Sequence, residues 1–151
     1  MTTEDRPTRV LIVANRTAAT EPLLDAVRGR ASAGLAEFHL LVPAAPRGMH
    51  RIVDPEVAGR AEAEEQLALA LEKLSAEIGT PVTGHVGDSD PFAAISDTLH
   101  GQDYAEIIVS TLTSRLSRWT RMDLPSKVRT LGLPVTHVSP DRPPVEVKRA
   151  A

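Results

Sequence analysis

Apolar residues along this chain fall in short continuous runs, separated at regular intervals by polar and turn-forming residues. Arg9-Val10-Leu11-Ile12-Val13-Ala14 is apolar after its first residue and shows no alternation. That is the pattern of a strand buried on both faces, as parallel strands are. Glu37–Val42 (EFHLLV), Pro81–Val86 (PVTGHV), Ile107–Val109 and Val135–Val138 read as four further strands. The stretches between them carry apolar residues at helical spacing. Thr20 is placed to cap a helix with Pro22 in its first turn and Leu23, Leu24, Val27 and Ala31 on one face, ending between Gly29 and Gly34. After a loop over Ala44–Asp54, the longest helix is expected over Pro55–Ile78, with Leu67, Leu71, Leu74 and Ile78 as its stripe. Asp90-Pro91 reads as a cap followed by a proline at the first helical position, ahead of Phe92, Ile95 and Leu99. Leu124, Val128 and Leu131 make a last helix, with Pro125 in its first turn and Gly132 closing it.

Strands alternating with helices predict an α/β domain: a Rossmann-like, open, five-stranded, mostly parallel sheet with helices on both faces. It is expected over residues 9–138, with 1–8 a flexible tail and 139–151 a proline-rich, charged tail. Val145-Glu146-Val147 has the composition to join a sheet edge but is placed with that tail. In such folds ligands sit beyond the C-terminal ends of the strands, where the strand order reverses. The loops after the strands therefore hold the candidate site: 15–17, 43–45, 87–90 and 110–117.

Composition narrows the function classes. The 151 residues suit one domain, and 42% apolar with 25% charged is ordinary for a globular chain. A net charge of −3 argues against duplex nucleic acid as the main partner. No cysteine is present, which excludes disulfides, thiolate catalysis and cysteine-held metals. MTTEDRPTR carries no apolar leader segment and no run approaches the roughly 18 residues of a membrane helix, so the expectation is a cytoplasmic protein with no membrane partner. The acidic excess on the long helix fits a solvated outer face.

The chemistry concentrates between Glu106 and Val128. The strand Ile107–Val109 empties into Ser110, Thr111, Thr113, Ser114 and Ser117, interleaved with Arg115, Arg118 and Arg121. Hydroxyls, loop N–H groups and guanidinium forks can converge on one phosphate. The same arginines could equally line a solvated helix face while the hydroxyls cap turns, and residue types alone leave both readings open.

From Arg9 to Val138 the chain resembles the universal stress protein family. The resemblance rests on VLIVANRT, GDSDPFAAI, EIIVSTLTSRLSRW, LPSKV and GLPVTHV, and looks closest to a divergent single-domain branch. It implies a five-stranded parallel sheet, a homodimer and, in members that bind ATP, an adenine-nucleotide crevice. ATP-binding members carry an acidic residue after the first strand, where this chain has Asn15. They also carry G-x2-G-x9-G-S/T after the fourth strand. Here those glycines fall on Ser110, Thr113 and either Met122 or Asp123, so the phosphate-binding motif is degenerate. Side chains at those positions predict a narrower cradle.

Other chemistry finds little support. The five histidines never fall three or four apart, no G-x-S-x-G elbow exists, and P-loop and G-x-G-x-x-G patterns are missing. Asp88 and Asp90 read as a cap and its neighbour rather than a metal site. Trp119 is expected to anchor the core or an interface rather than stack on a base. The leading expectation is a homodimeric, universal-stress-like regulatory protein without strong catalysis, its crevice open to ATP, another adenine nucleotide or another small phosphorylated ligand. Asn15 and Thr17 would meet sugar or base, Gly87 and Asp88 would edge the pocket, and Ser110, Thr111, Thr113, Ser114, Arg115 and Arg118 would hold phosphate. A ligandless dimeric interaction module is the alternative, and a phosphate-transferring enzyme ranks below both.

Overall fold

The continuous apolar runs become the centre of one sheet, because only burial on both faces accommodates strands without a polar side. The computed structural model describes residues 6–15, 17–18, 20–44, 55–112, 119, 123–140 and 142–147. In chain order the elements are β1 (Thr8–Val13), α1 (Glu21–Ala33), β2 (Ala36–Pro43), α2 (Pro55–Ile78) and β3 (Thr83–Gly87). They continue with α3 (Pro91–Gly101), β4 (Glu106–Ser110), α4 (Leu124–Arg129), β5 (Val135–Ser139) and β6 (Arg142–Val147).

Among the described residues six strands form one sheet in the order β3-β2-β1-β4-β5-β6. The first five are mutually parallel, as the alternating pattern predicts. β6 runs antiparallel to β5, pairing Val135 with Val147 and Ser139 with Arg142. Part of the expected tail is thus an edge strand. Pro143 and Pro144 had counted against it, yet proline is tolerated on an edge, where a missing N–H need not break a ladder.

Alternate residues of the central strands feed two cores. Val10, Ile12 and Ala14 join Phe38, Leu40 and Val42 beneath α1 (Leu23, Leu24, Val27) and α2 (Ala63, Leu67, Ala70, Leu74). Leu11, Val13 and Leu41 join Ile107 and Val109 on the opposite face, beneath α3 (Ala94, Ile95), Trp119 and α4 (Leu124, Val128). Val10 through Ala14 are all 0% exposed. Each of the Val, Leu and Ile side chains among them contributes about 1.5–3 kcal/mol of burial. Trp119 is a core residue, one of the two places expected for it. No helix among the described residues is long and apolar enough to cross a membrane.

Helix starts follow different chemistry at each site. Asp90 caps α3 as expected, its carboxylate accepting from the N–H groups of Phe92 (3.0 Å) and Ala93 (3.3 Å). Thr20 occupies the cap position of α1 but does not cap it with its side chain. Its hydroxyl donates backward to the Thr17 carbonyl at 2.9 Å, securing the loop after β1 instead. Gly132, at φ +90, follows α4 in the left-handed region where glycine is strain-free.

Two glycines with opposite surroundings give a paired prediction. A Cβ on Gly84 would sit 2.7 Å from the Leu40 carbonyl oxygen and 2.7 Å from Leu67 Cδ1, so Gly84→Ala forces β3 away from β2 and α2. Overpacking of this kind costs about 1–3 kcal/mol. Gly29 lies exposed inside α1 with nothing within 4 Å of an added Cβ. Gly29→Ala stabilises by about 0.5–1 kcal/mol through reduced chain entropy. Thermal midpoints should move in opposite directions, and a stable Gly84→Ala would contradict the strand register.

Candidate functional site

The strand order reverses between β1 and β4, which lie side by side in the middle of the sheet although a large part of the chain separates them. Doubly wound sheets open a crevice at that point because the loops leaving the two strands run to opposite faces. Here the loop after β1 carries Asn15 and Thr17, and the end of β4 carries Ser110 and Thr111.

These hydroxyls are not spread toward solvent. Thr17, Ser110 and Thr111 are each only 1% exposed. The Ser110 Oγ–H donates to Thr17 Oγ1 at 2.8 Å, and the Thr17 hydroxyl donates to the Ser110 carbonyl oxygen at 3.2 Å. Each side chain spends its one proton inside this closed pair. Thr111 donates its N–H to the Val138 carbonyl at 2.9 Å, and its hydroxyl lies 2.8 Å from His137 Nε2. The three hydroxyls thus join β1, β4 and β5 across the floor of the crevice.

Gly87 and Asp88 lie at the end of β3, separated from β1 by β2. Gly87 accepts the Ala44 N–H at 3.0 Å, and a Cβ there would meet Leu41 Cδ1 at 2.7 Å and Ala94 Cβ at 2.9 Å. Glycine is needed for this close strand–helix approach, whatever else the loop does. Asp88 Oδ1 accepts the Asp90 N–H at 2.8 Å, so one carboxylate oxygen shapes the entry to α3. Thr113, Ser114, Arg115 and Arg118 lie outside the described residues.

His137 also belongs to this network, which its residue type alone does not reveal. Its register against Val109, one residue before Ser110, was the needed signal, and it requires the pairing of β4 with β5. Asp123 precedes α4. It has φ 56 and ψ 40, the one non-glycine residue with positive φ among those described. Aspartate tolerates this left-handed region better than most side chains.

A second polar constellation occupies the α3 face near the β3 edge. His39 Nε2 and His85 Nδ1 are 2.7 Å apart, and His39 Nδ1 is 2.7 Å from Thr83 Oγ1. Thr98 Oγ1 lies 3.4 Å from His85 Nε2 and donates to the Ala94 carbonyl at 2.8 Å. Burial, then the charge of His85 and then that of Arg9, pull His39 down from 6.5 to about 4. Burial also lowers His85. Arg9 itself sits over the Tyr104 ring, 5.0 Å from its centroid, and burial raises the Tyr104 phenol. Among the described residues no three His, Cys, Asp or Glu side chains converge as metal ligands.

No protein-family model matches this chain. No curated protein sequence matches it either. Solved structures do. A universal stress protein from Archaeoglobus fulgidus superposes with a TM-score of 0.60 at 17% identity, over 87% of this chain and 93% of that one. A universal stress protein in complex with cAMP gives 0.57 at 14% identity, over 95% and 98% of the two chains. The Archaeoglobus fulgidus universal stress protein in complex with dAMP gives 0.56 at 19% identity, over 88% and 98%. The chain therefore has the universal-stress-protein fold, a doubly wound α/β domain whose strand order reverses between β1 and β4.

Two predictions follow from the side-chain networks. Thr17→Val leaves the buried Ser110 hydroxyl without its acceptor and should cost about 1–3 kcal/mol. Adding Ser110→Ala should restore part of that loss, because the orphaned donor is gone. A double-mutant cycle by chemical denaturation measures the coupling, and strict additivity would dismiss the closed pair.

The histidines set a pH response. His39 has a folded value below its ordinary 6.5, so between about 4 and 6.5 the unfolded chain binds more protons than the folded one. Stability is full above that window and declines as pH falls through it. The thermal midpoint of His39→Gln should fall less steeply between pH 7 and 5 than that of the unaltered chain.

Proposed function

We propose that this chain is a cytoplasmic, homodimeric, universal-stress-like regulatory protein whose crevice at the β1–β4 reversal takes an adenine nucleotide or another small phosphorylated ligand. The observation that carries the reading is the placement of Asn15, Thr17, Ser110 and Thr111 at the paired ends of β1 and β4. Two proteins of the same fold were solved with cAMP and dAMP, which supports an adenine ligand as the first to try. Because the hydroxyls of Thr17 and Ser110 are already committed to each other, their part is to hold the two loops together. Phosphate recognition in this reading falls to Thr113, Ser114, Arg115 and Arg118, with Asn15 at the sugar or base and Gly87 and Asp88 at the rim. Guanidinium forks supply the charge-assisted bonds that a glycine nest would otherwise provide through backbone N–H groups.

The closed hydroxyl pair also favours a second reading, a dimeric interaction module whose crevice floor is satisfied without ligand. One experiment separates the two. Thermal unfolding is followed with ATP, ADP, AMP, cAMP and inorganic phosphate, with and without magnesium. A ligand at 100 times its dissociation constant stabilises by about 2.7 kcal/mol. For a chain of this size that raises the midpoint by about 2–4 °C per kcal/mol. The nucleotide reading expects a saturable rise that disappears in the Arg115→Ala/Arg118→Ala double variant. Flat curves across the series would leave the interaction module as the function.

A further inference from the structure

We infer that His39 and His85 form a two-imidazole site for one late first-row divalent metal ion, outside the crevice and independent of its ligand. The two residues stand on adjacent parallel strands, His39 in register with Thr83 and His85 with Leu41, and their side chains meet on the same face. His85 is exposed and His39 half-buried, so an ion can reach both rings from solvent.

One assignment of the protons satisfies every one of these contacts. Thr98 gives its only hydroxyl proton to the Ala94 carbonyl, so toward His85 Nε2 it can only accept. Neutral His85 therefore carries its proton on Nε2 and presents a lone pair at Nδ1. That lone pair accepts from His39 Nε2–H, and His39 Nδ1 accepts from the Thr83 hydroxyl. The chain runs in one direction from Thr83 to the Ala94 carbonyl with both rings neutral. Neutral imidazole is the metal-binding form.

A proton shift and a turn of both rings separate this state from a chelate. The proton of His39 moves through solvent from Nε2 to Nδ1, and the Thr83 hydroxyl turns to accept it. Nε2 of His39 and Nδ1 of His85 then offer two lone pairs to one ion. Two metal–water bonds and one N–H···N hydrogen bond break, two metal–nitrogen bonds form, and no proton is released to bulk. With metal–nitrogen bonds of about 2.0–2.1 Å, the two nitrogens of a chelate stand about 2.9–3.4 Å apart. They are 2.7 Å apart here with ring centroids 5.0 Å apart, which places them head-on, so the rings must part and each must turn until the two lone pairs converge on the ion. In the loaded state each outer N–H meets a threonine hydroxyl, the outer-shell support that orients metal-binding histidines. Two imidazoles completed by water select copper, nickel or zinc over magnesium or calcium. The nearby Arg9 opposes a bound cation, but it lies over Tyr104 and pairs in register with Glu37.

The test uses the untagged full chain at pH 7.5, titrated separately with Zn2+, Ni2+, Cu2+ and Mg2+ by calorimetry. Imidazole nitrogen resonances are followed in parallel. One ion of zinc, nickel or copper per chain is expected, with His39 Nε2 and His85 Nδ1 shifting or broadening first and magnesium without effect. His39→Gln and His85→Gln should each weaken binding at least tenfold, while His100→Gln leaves it within about twofold. Thr83→Val, which keeps both ligands but removes the hydroxyl that receives Nδ1–H, should weaken it about tenfold. No saturable binding of any of the three metals would overturn the inference. Saturable binding that leaves the His39 and His85 resonances unmoved would overturn it too, and that readout requires no variant to fold.

Discussion

Everything in this fold depends on burying β1 from both sides. Val10 to Ala14 have no polar side chain, and their backbone groups pair with β2 on one side and β4 on the other. That demand recruits α1 and α2 to one face and α3 and α4 to the other, which fixes the layer order. It also forces the chain to reverse its direction of sheet growth at β1, since β2 and β3 fill one flank and β4 and β5 the other. The crevice is the geometric remainder of that reversal.

What closes the crevice floor is a small polar device. A glycine-rich loop would bring backbone N–H groups to the surface and leave them waiting for an anion. This chain instead places side chains there and satisfies them internally, at 1% exposure. The exchange raises stability without ligand, because buried hydroxyls are costly only when unpaired. Asp123 enters α4 with a left-handed backbone, a conformation that aspartate tolerates better than most residues.

The fold was legible because two-sided burial writes itself as uninterrupted apolar runs, and β1, β4 and β5 lie close to where those runs fall. β3 was displaced by two residues at its start, beginning at Thr83 rather than Pro81. It is an edge strand with few buried side chains, and Val82 is held by Ser75 Oγ of α2 instead of a ladder. The loops after the strands were legible from the pattern, but not the network that joins them. Whether Thr17 meets Ser110, or His39 meets His85, depends on strand order and register, which local periodicity does not encode. Thr20 failed for a different reason. A threonine before a helix has two carbonyl- and amide-rich directions open to it, and only the loop's shape decides between them.

The β5–β6 hairpin carries a consequence for assembly. Without β6, the sheet would end on β5, whose outer backbone edge would be open to a second chain. With β6 in place the outermost strand contains Pro143 and Pro144, two positions with no amide hydrogen to offer a neighbour. Edge-to-edge joining through β5 would require β6 to be stripped away first. The last strand and a partner's strand are thus rival occupants of one edge of backbone.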